Sequence, residues 1–257
     1  MGRIVDSYKL DVDDVIVEIQ IIKDIGVNPE YKIIKDKIAE PTLALLDEIR
    51  NKLIEEVGLT AEEVLDPKIV GKLKEKFKER ASSILTTYLE NIPESTKKYL
   101  VGTLIHESLG MGDIELLLND IDLEEIVIGS SKEPVRVYHK KYGWLESNIT
   151  IQTEEQILNY SNMIARRVGR QITTLSPLLD AHLLTGDRVN AVLYPISTKG
   201  NTVTIRKFST DPLTVTDLIN DNVSSSHIFA LIWLALEYEM NMLVSGGTDS
   251  GKTTFLN

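Results

Sequence analysis

The residues best equipped for chemistry stand close together near the carboxyl end. Residues 242–257 read MLVSGGTDSGKTTFLN, in which Gly246, Gly251, Lys252 and Thr253 match the spacing G-x-x-x-x-G-K-[ST]. Each type has a physical task at that spacing. The glycines let the backbone bend so that successive N–H groups face phosphate oxygens, and the following helix N-terminus adds a favourable dipole. Lys252 supplies the cation for the β- and γ-phosphates, and the Thr253 hydroxyl is the candidate ligand of Mg²⁺. The candidate nucleotide-binding residues are therefore Gly246, Gly247, Thr248, Ser250, Gly251, Lys252, Thr253 and Thr254. Asp249 sits inside the loop, where a carboxylate at contact distance from a triphosphate is repelled by about 1 to 4 kcal/mol, depending on screening.

Such a loop needs a strand before it and a helix after it, and the sequence offers Met242 to Ser245 for the first and the segment from Lys252 for the second. The apolar run Ile228 to Leu236 precedes them; it is far short of a bilayer span, leads into Glu237 and Glu239, and reads as a buried helix. Upstream, residues 8–34 alternate charged and β-branched positions (Val15, Val17, Ile19, Ile21) and turn at Gly26-Val27-Asn28-Pro29, as two short strands or extended arms lying on the helical part. From Pro41 the period is helical, with Leu43, Leu46, Ile49, Leu53 and Val57 on one face and Gly58 as a stop. Further helices are predicted at 66–91, softened by Gly71, and at 93–109 with Pro93 in the first turn. KLKEKFKER, residues 72–80, reads as a solvated helix face with Leu73 and Phe77 turned inward.

After Gly110-Met111-Gly112 the texture changes to strand candidates at 125–128, 135–139 and 144–151, a helix opened by Thr153 and stopped by Gly169, and strands at 188–194 and 202–208 around the turn 197–201. Residues 210–216 read as a linker around Pro212. The predicted organisation is thus 1–109 arms and helices, 110–209 a strand-rich α+β domain, 210–216 linker, and 217–257 the start of an α/β domain. Composition narrows the partners. At 257 residues and 42% hydrophobic the chain can bury a real core, while 39 acidic against 28 basic side chains (net charge −11) argue against a phosphate-backbone binder, so nucleic acid is not expected. Cysteine is absent and the four histidines, His106, His139, His182 and His227, have no metal-ligand spacing; they read as surface or capping residues. The first twenty residues carry acids through their apolar run and are no signal peptide.

The stretch IFALIWLALEYEMNMLVSGGTDSGKTTFLN resembles the start of the RecA-like motor domain of type II/IV secretion ATPases, the motors of protein secretion, type IV pili and archaeal flagella. SPLLDAHLLTGDRVNAVLYPISTKGNTVTIRKF, residues 176–208, and IELLLNDIDLEEIVI are similar to that family's strand-rich amino-terminal domain. The resemblance implies a helical bundle, then a small PAS-like sheet domain, then the beginning of a RecA-like P-loop domain carrying the Walker A loop. It implies ATP and Mg²⁺ as cofactors, a homo-hexamer, a membrane platform protein as partner, and a cytoplasmic place at the inner face of the membrane. It also implies that arginines of the amino-terminal domain reach the phosphates, and Arg188 in GDRVNA and Arg206 in TIRKF match them by position; ordinary surface ion pairing is the alternative for both. Arg166, Arg167 and Arg170 form a further cluster that the dipole of their helix explains without function. The family's acidic box, second magnesium-binding strand with its catalytic glutamate, and histidine box do not occur in this sequence. No catalytic residue is therefore assigned, and hydrolysis by this chain alone is expected to be poor. The competing reading is a non-catalytic interaction or regulatory module of the same machinery.

Overall fold

The computed structural model describes residues 2–24, 28–57, 67–89, 92–183, 185–208, 214–247 and 250–256, with backbone only for 54–57, 67–70 and 253–254. The chain divides into two units, 1–208 and 209–257. The first is built on one nine-stranded sheet, a larger and more continuous sheet than the small domain predicted for residues 110–209. In chain order its strands are β1 (Arg3–Val12), β2 (Val15–Lys23), β3 (Glu30–Ile34), β4 (Leu123–Ile128), β5 (Pro134–His139), β6 (Gly143–Thr150), β7 (Leu178–His182), β8 (Arg188–Val192) and β9 (Thr202–Arg206). Their order in space is β1-β2-β3-β6-β5-β4-β9-β8-β7.

All neighbours are antiparallel except β3 and β6, which run parallel over two residue pairs, Glu30 with Glu146 and Tyr31 with Ser147. A side chain extends that short joint. The Asn148 amide accepts from Ile33 N at 2.8 Å and donates to Ile33 O at 2.9 Å, occupying the backbone groups the ladder leaves open. The amino-terminal strands are therefore part of the sheet across the expected boundary near residue 109, not arms on the helical part. The alternation that predicted them holds: Val15, Val17, Ile19 and Ile21 are all buried. The turn joining β1 to β2 was not predicted. It is the two-residue hairpin Asp13-Asp14, both at positive φ (52° and 68°), a conformation aspartate tolerates better than most residues. The predicted turn at Gly26-Val27 lies outside the described residues.

Three helices, α1 (Glu40–Val57), α2 (Pro67–Tyr88) and α3 (Glu94–Leu109), share a second core, with Leu46, Ile49 and Leu53 of α1 against Leu73, Phe77, Ala81 and Leu85 of α2 and Leu100, Leu104 and Ile105 of α3. Leu43, predicted on the inner face, is exposed. Gly71 does not interrupt α2, and Pro93 precedes α3 as its N-cap. The short α4 (Ile114–Asn119), which the sequence analysis missed, packs on β1 and β4, and α5 (Glu154–Arg167) on β9. Thr153 caps α5 by accepting from Gln156 N, and Gly169 ends it at φ 67°.

The lysines of KLKEKFKER grip the hairpin tip. Lys74 reaches Asp13 at 2.8 Å and Lys78 reaches Asp14 at 2.5 Å, while buried His106 of α3 places Nε2 3.3 Å from Asp13 Oδ2, close but not aligned for a hydrogen bond. His106 and His139 are buried, which corrects the surface half of their reading as surface or capping residues. His139 Nδ1 accepts from Lys141 N at 3.0 Å, and burial lowers the imidazole's pKa. The contact to His106, followed by that to Lys74, holds the Asp13 carboxyl well below its ordinary value of 3.8. A carboxylate depressed in the folded state stabilises it above the unfolded value and loses that contribution as pH falls. Asp13→Asn should therefore flatten the decline of stability below pH 3.8, with urea unfolding across a pH series as the measurement. An acid limb as steep as in the parent chain would show that this tip does not set the acid sensitivity.

A buried polar cluster ties β1 and β3 to the segments that follow α4 and β9. Asp120, just after α4, is 1% exposed; its Oδ2 accepts from Tyr8 OH of β1 at 2.6 Å and from Tyr31 OH of β3 at 2.5 Å, and its Oδ1 from Asp122 N at 2.9 Å. Lys207, directly after β9, donates to the Asp120 main-chain oxygen. Burial first, with the carboxylate adding to it, pushes both tyrosine hydroxyls above their ordinary range, and burial lowers the Lys207 ammonium.

The second unit holds α6 (Val215–Asn220), α7 (Ser226–Glu237) and α8 (Lys252–Leu256). Thr214 and Asp217 close a capping box on α6. Here two expectations are corrected. The apolar run Ile228–Leu236 does form a helix, but none of α7 is buried; Leu231, Trp233 and Leu236 are more than half exposed. Residues 242–247 form no strand, because a parallel strand takes its hydrogen bonds from neighbours and none is present among the described residues of this unit. Phe255 of α8 stacks on Phe229 of α7, ring centroids 5.6 Å apart. Among the described residues no helix is long and apolar enough to cross a membrane.

Candidate functional site

The phosphate-loop residues and the two arginines belong to different units, and each group has its own geometry. In the loop, Gly251 stands at φ 79°, the left-handed conformation that favours glycine, and turns the chain into α8, where Phe255 N bonds to Gly251 O at 2.9 Å. Two side chains converge on one carbonyl: the Ser250 hydroxyl donates to Gly247 O at 2.9 Å, and the Lys252 ammonium donates to the same oxygen. Lys252 Nζ is also 3.5 Å from Ser250 Oγ. The ammonium is thus folded back over the bend instead of extending away from it. Gly246 approaches closely as well, since a Cβ there would stand 2.5 Å from Ser250 Oγ. Thr248 and Asp249 lie outside the described residues; Thr253 and Thr254 form the first turn of α8, with only their backbone described.

Arg188 and Arg206 are brought together by the sheet. They are direct register partners on β8 and β9, so both side chains rise from the same face. Cross-strand pairing continues the row in both directions: Arg206 faces Glu125 on β4, Glu125 faces Tyr138 on β5, Tyr138 faces Trp144 on β6, and Arg188 faces His182 on β7. Tyr138 and Trp144 pack edge to face at 5.3 Å, with the Arg136 guanidinium 6.0 Å from the Trp144 ring. Both arginines are exposed. Two like charges directly opposed across a ladder repel, and an anion placed between them relieves the repulsion.

Asp180, two residues before the position facing Arg188, takes part of that role. Its carboxylate accepts a fork from Arg188, Nε to Oδ1 at 3.1 Å and Nη2 to Oδ2 at 2.9 Å. The pair lowers the Asp180 carboxyl and raises the Arg188 guanidinium. The ion pair left open by the sequence as the alternative reading of Arg188 is therefore present, whereas Arg206 makes no ion pair with another described residue. Sequence reasoning missed Asp180 because β7 was not predicted as a strand. The alternation of Leu178, Asp180 and His182 with buried Leu179 and Ala181 is the signal that would have placed it. The Arg166–Arg170 cluster does structural work instead: Arg167 donates to Leu109 O and Arg170 to Asp180 O.

No family model matches the chain. An uncharacterized protein of Methanocaldococcus jannaschii is 34% identical over 265 residues, covering 99% of this chain and 34% of that protein. A probable conjugal transfer protein TrbB of Sinorhizobium fredii is 30% identical over 95 residues, 37% of this chain and 29% of that protein. Among solved structures, the VirB11 ATPase of the Brucella suis type IV secretion system is a partial likeness, with a TM-score of 0.36, 23% identity, and coverage of 54% of this chain and 48% of that one. The chain spans about a third of the length of two of the archaeal relatives it matches and 64% of another.

Proposed function

We propose that this chain is the nucleotide-binding front portion of a secretion-type ATPase of the type II/IV class. The observation that carries the reading is the loop from Gly246 to Thr253, whose residue types have the phosphate-binding spacing and whose Lys252 ammonium and Ser250 hydroxyl already turn onto one carbonyl of the bend. Similarity to a probable conjugal transfer protein supports the class. In this reading Lys252 holds the β- and γ-phosphates of ATP and Thr253 offers its hydroxyl to Mg²⁺, a donor set that suits a hard cation beside a triphosphate. Mg²⁺ bound there would neutralise charge on the phosphate oxygens. Arg188 and Arg206, two permanently charged planar groups on one face, are the arginines that close over the phosphates. The helices within residues 1–109 form a bundle, residues 110–209 a PAS-like domain whose strands are part of the larger sheet, and residues 217–257 the start of a RecA-like domain. The whole protein works as a cytoplasmic homo-hexamer against a membrane platform protein, in secretion or in assembly of a pilus or archaeal flagellum.

Calorimetric titration with Mg-ATP and a non-hydrolysable analogue tests this. Saturable binding should fall at least about tenfold in Lys252→Ala, a loss of roughly 1.4 kcal/mol or more. Absence of binding by the parent chain would overturn the nucleotide reading in favour of a non-catalytic interaction module. One feature favours that second reading: an open apolar groove of about 820 Å³ between α6 and α7, lined by Val215, Ile219, Phe229, Trp233 and Leu236.

A further inference from the structure

We propose that Asp180 is a latch that competes with phosphate for Arg188, keeping the arginine pair partly neutralised until a polyphosphate displaces it. The inference rests on the reading of Arg188 and Arg206 as phosphate ligands and adds the residue that regulates them.

Three observations carry it. First, the Asp180 fork uses Nε and Nη2, one complete hydrogen-bonding edge of the guanidinium, which is an edge a phosphate would take in the same bidentate way. Second, the pair is open to solvent, with side chains 59% and 52% exposed, a setting in which an ion pair contributes little and a competing anion exchanges for the carboxylate easily. Third, Arg206 stands directly opposite Arg188. A carboxylate on β7 satisfies one guanidinium, whereas a chain of phosphates can bridge both and relieve their mutual repulsion.

The scaffold lets the carboxylate release without moving the strand. β7 and β8 are paired through Asp180 with Asn190, and Arg170 donates to the Asp180 main-chain oxygen at 2.5 Å, so the backbone is fixed from two sides while the side chain alone swings. Replacing the carboxylate by an amide leaves both of those anchors intact. Asp180→Asn is therefore a variant that removes the competing charge and keeps the fold.

The test is titration of the intact chain with inorganic tripolyphosphate at low ionic strength, comparing the parent with Asp180→Asn, Arg188→Ala, Arg206→Ala and the double variant Asp180→Asn/Arg188→Ala. Binding should tighten roughly three- to fivefold in Asp180→Asn, weaken in each arginine variant, and show no gain in the double variant over Arg188→Ala, with unfolding midpoints unchanged. If both arginine variants bind as the parent does, or nothing binds saturably, the arginines are not phosphate ligands and the reading beneath the proposal fails. If they weaken binding but Asp180→Asn leaves it unchanged or weaker, the arginines stand and the latch alone is overturned. A gain that persists in the double variant also overturns the latch, since it would come from general charge and not from the freed fork.

Discussion

Asp120→Ala should lower the stability of the folded chain by about 3 to 5 kcal/mol, read as a shift of the urea midpoint at unchanged slope. The size follows from what the carboxylate satisfies. Two hydroxyls, Tyr8 and Tyr31, and one main-chain N–H, that of Asp122, all donate to it, and its own exposure is 1%. Each donor left without a partner away from water costs about 1 to 3 kcal/mol. Tyr31→Phe should cost only about 1 kcal/mol, because it removes a donor and leaves the carboxylate bonded to Tyr8 and to the backbone. Equal losses in the two variants would mean that the Tyr31 hydroxyl alone carries the contribution of the cluster, and that the bonds from Tyr8 and the Asp122 main chain add nothing.

Gly102→Ala, in the middle of α3, should destabilise the chain by about 2 to 3 kcal/mol even though alanine is the better helix former by about 1 kcal/mol. A Cβ at that position would run into the Asp13 carbonyl oxygen and stand 2.6 Å from Val15 Cγ2. The obstacle is the hairpin backbone, which cannot step aside without loosening Asp13 and Asp14 from Lys74, Lys78 and His106. Gly71→Ala is the matching control. It sits in α2 with nothing among the described residues within 4 Å of its would-be Cβ, so it should be neutral or stabilise by up to about 1 kcal/mol. Thermal unfolding of the two variants side by side decides the matter, and a stabilised Gly102→Ala would mean that the hairpin is free to lift from α3.

What the sequence made legible was periodic and local. The β-branched alternation from Val15 to Ile21 marked a half-buried strand, Leu46, Ile49 and Leu53 marked a helix face, and Thr153 and Gly169 marked both ends of α5. What it hid depended on partners distant along the chain. Asp13-Asp14 lacks the Asn-Gly or Asp-Gly pair that usually announces a tight hairpin, and its fitness for that turn shows only once two lysines and a histidine are seen to hold its carboxylates. α7 was read as buried because it is apolar all round, but burial requires elements to cover it, and none of its residues is buried in this chain. The register of β8 and β9, which sets Arg188 opposite Arg206, follows from the loop 197–201 and is not written in either arginine. For the phosphate loop the reverse holds, since its spacing was plain in the sequence while Thr248 and Asp249 lie outside the described residues.

The parallel joint between β3 and β6 also sets an order of events in time. Ile33 and the Asn148 amide that completes this joint are 115 residues apart, whereas β4, β5 and β6, like β7, β8 and β9, meet through short antiparallel returns. Closing so long a loop costs chain entropy before any pairing rewards it, so the local meanders form early and the amino-terminal three strands dock late. During synthesis this order is reversed against the chain's own polarity. β1, β2 and β3 leave the ribosome before β6 and wait with one edge of β3 unpaired until β6 has followed them, an interval in which that edge is open to any other strand that passes.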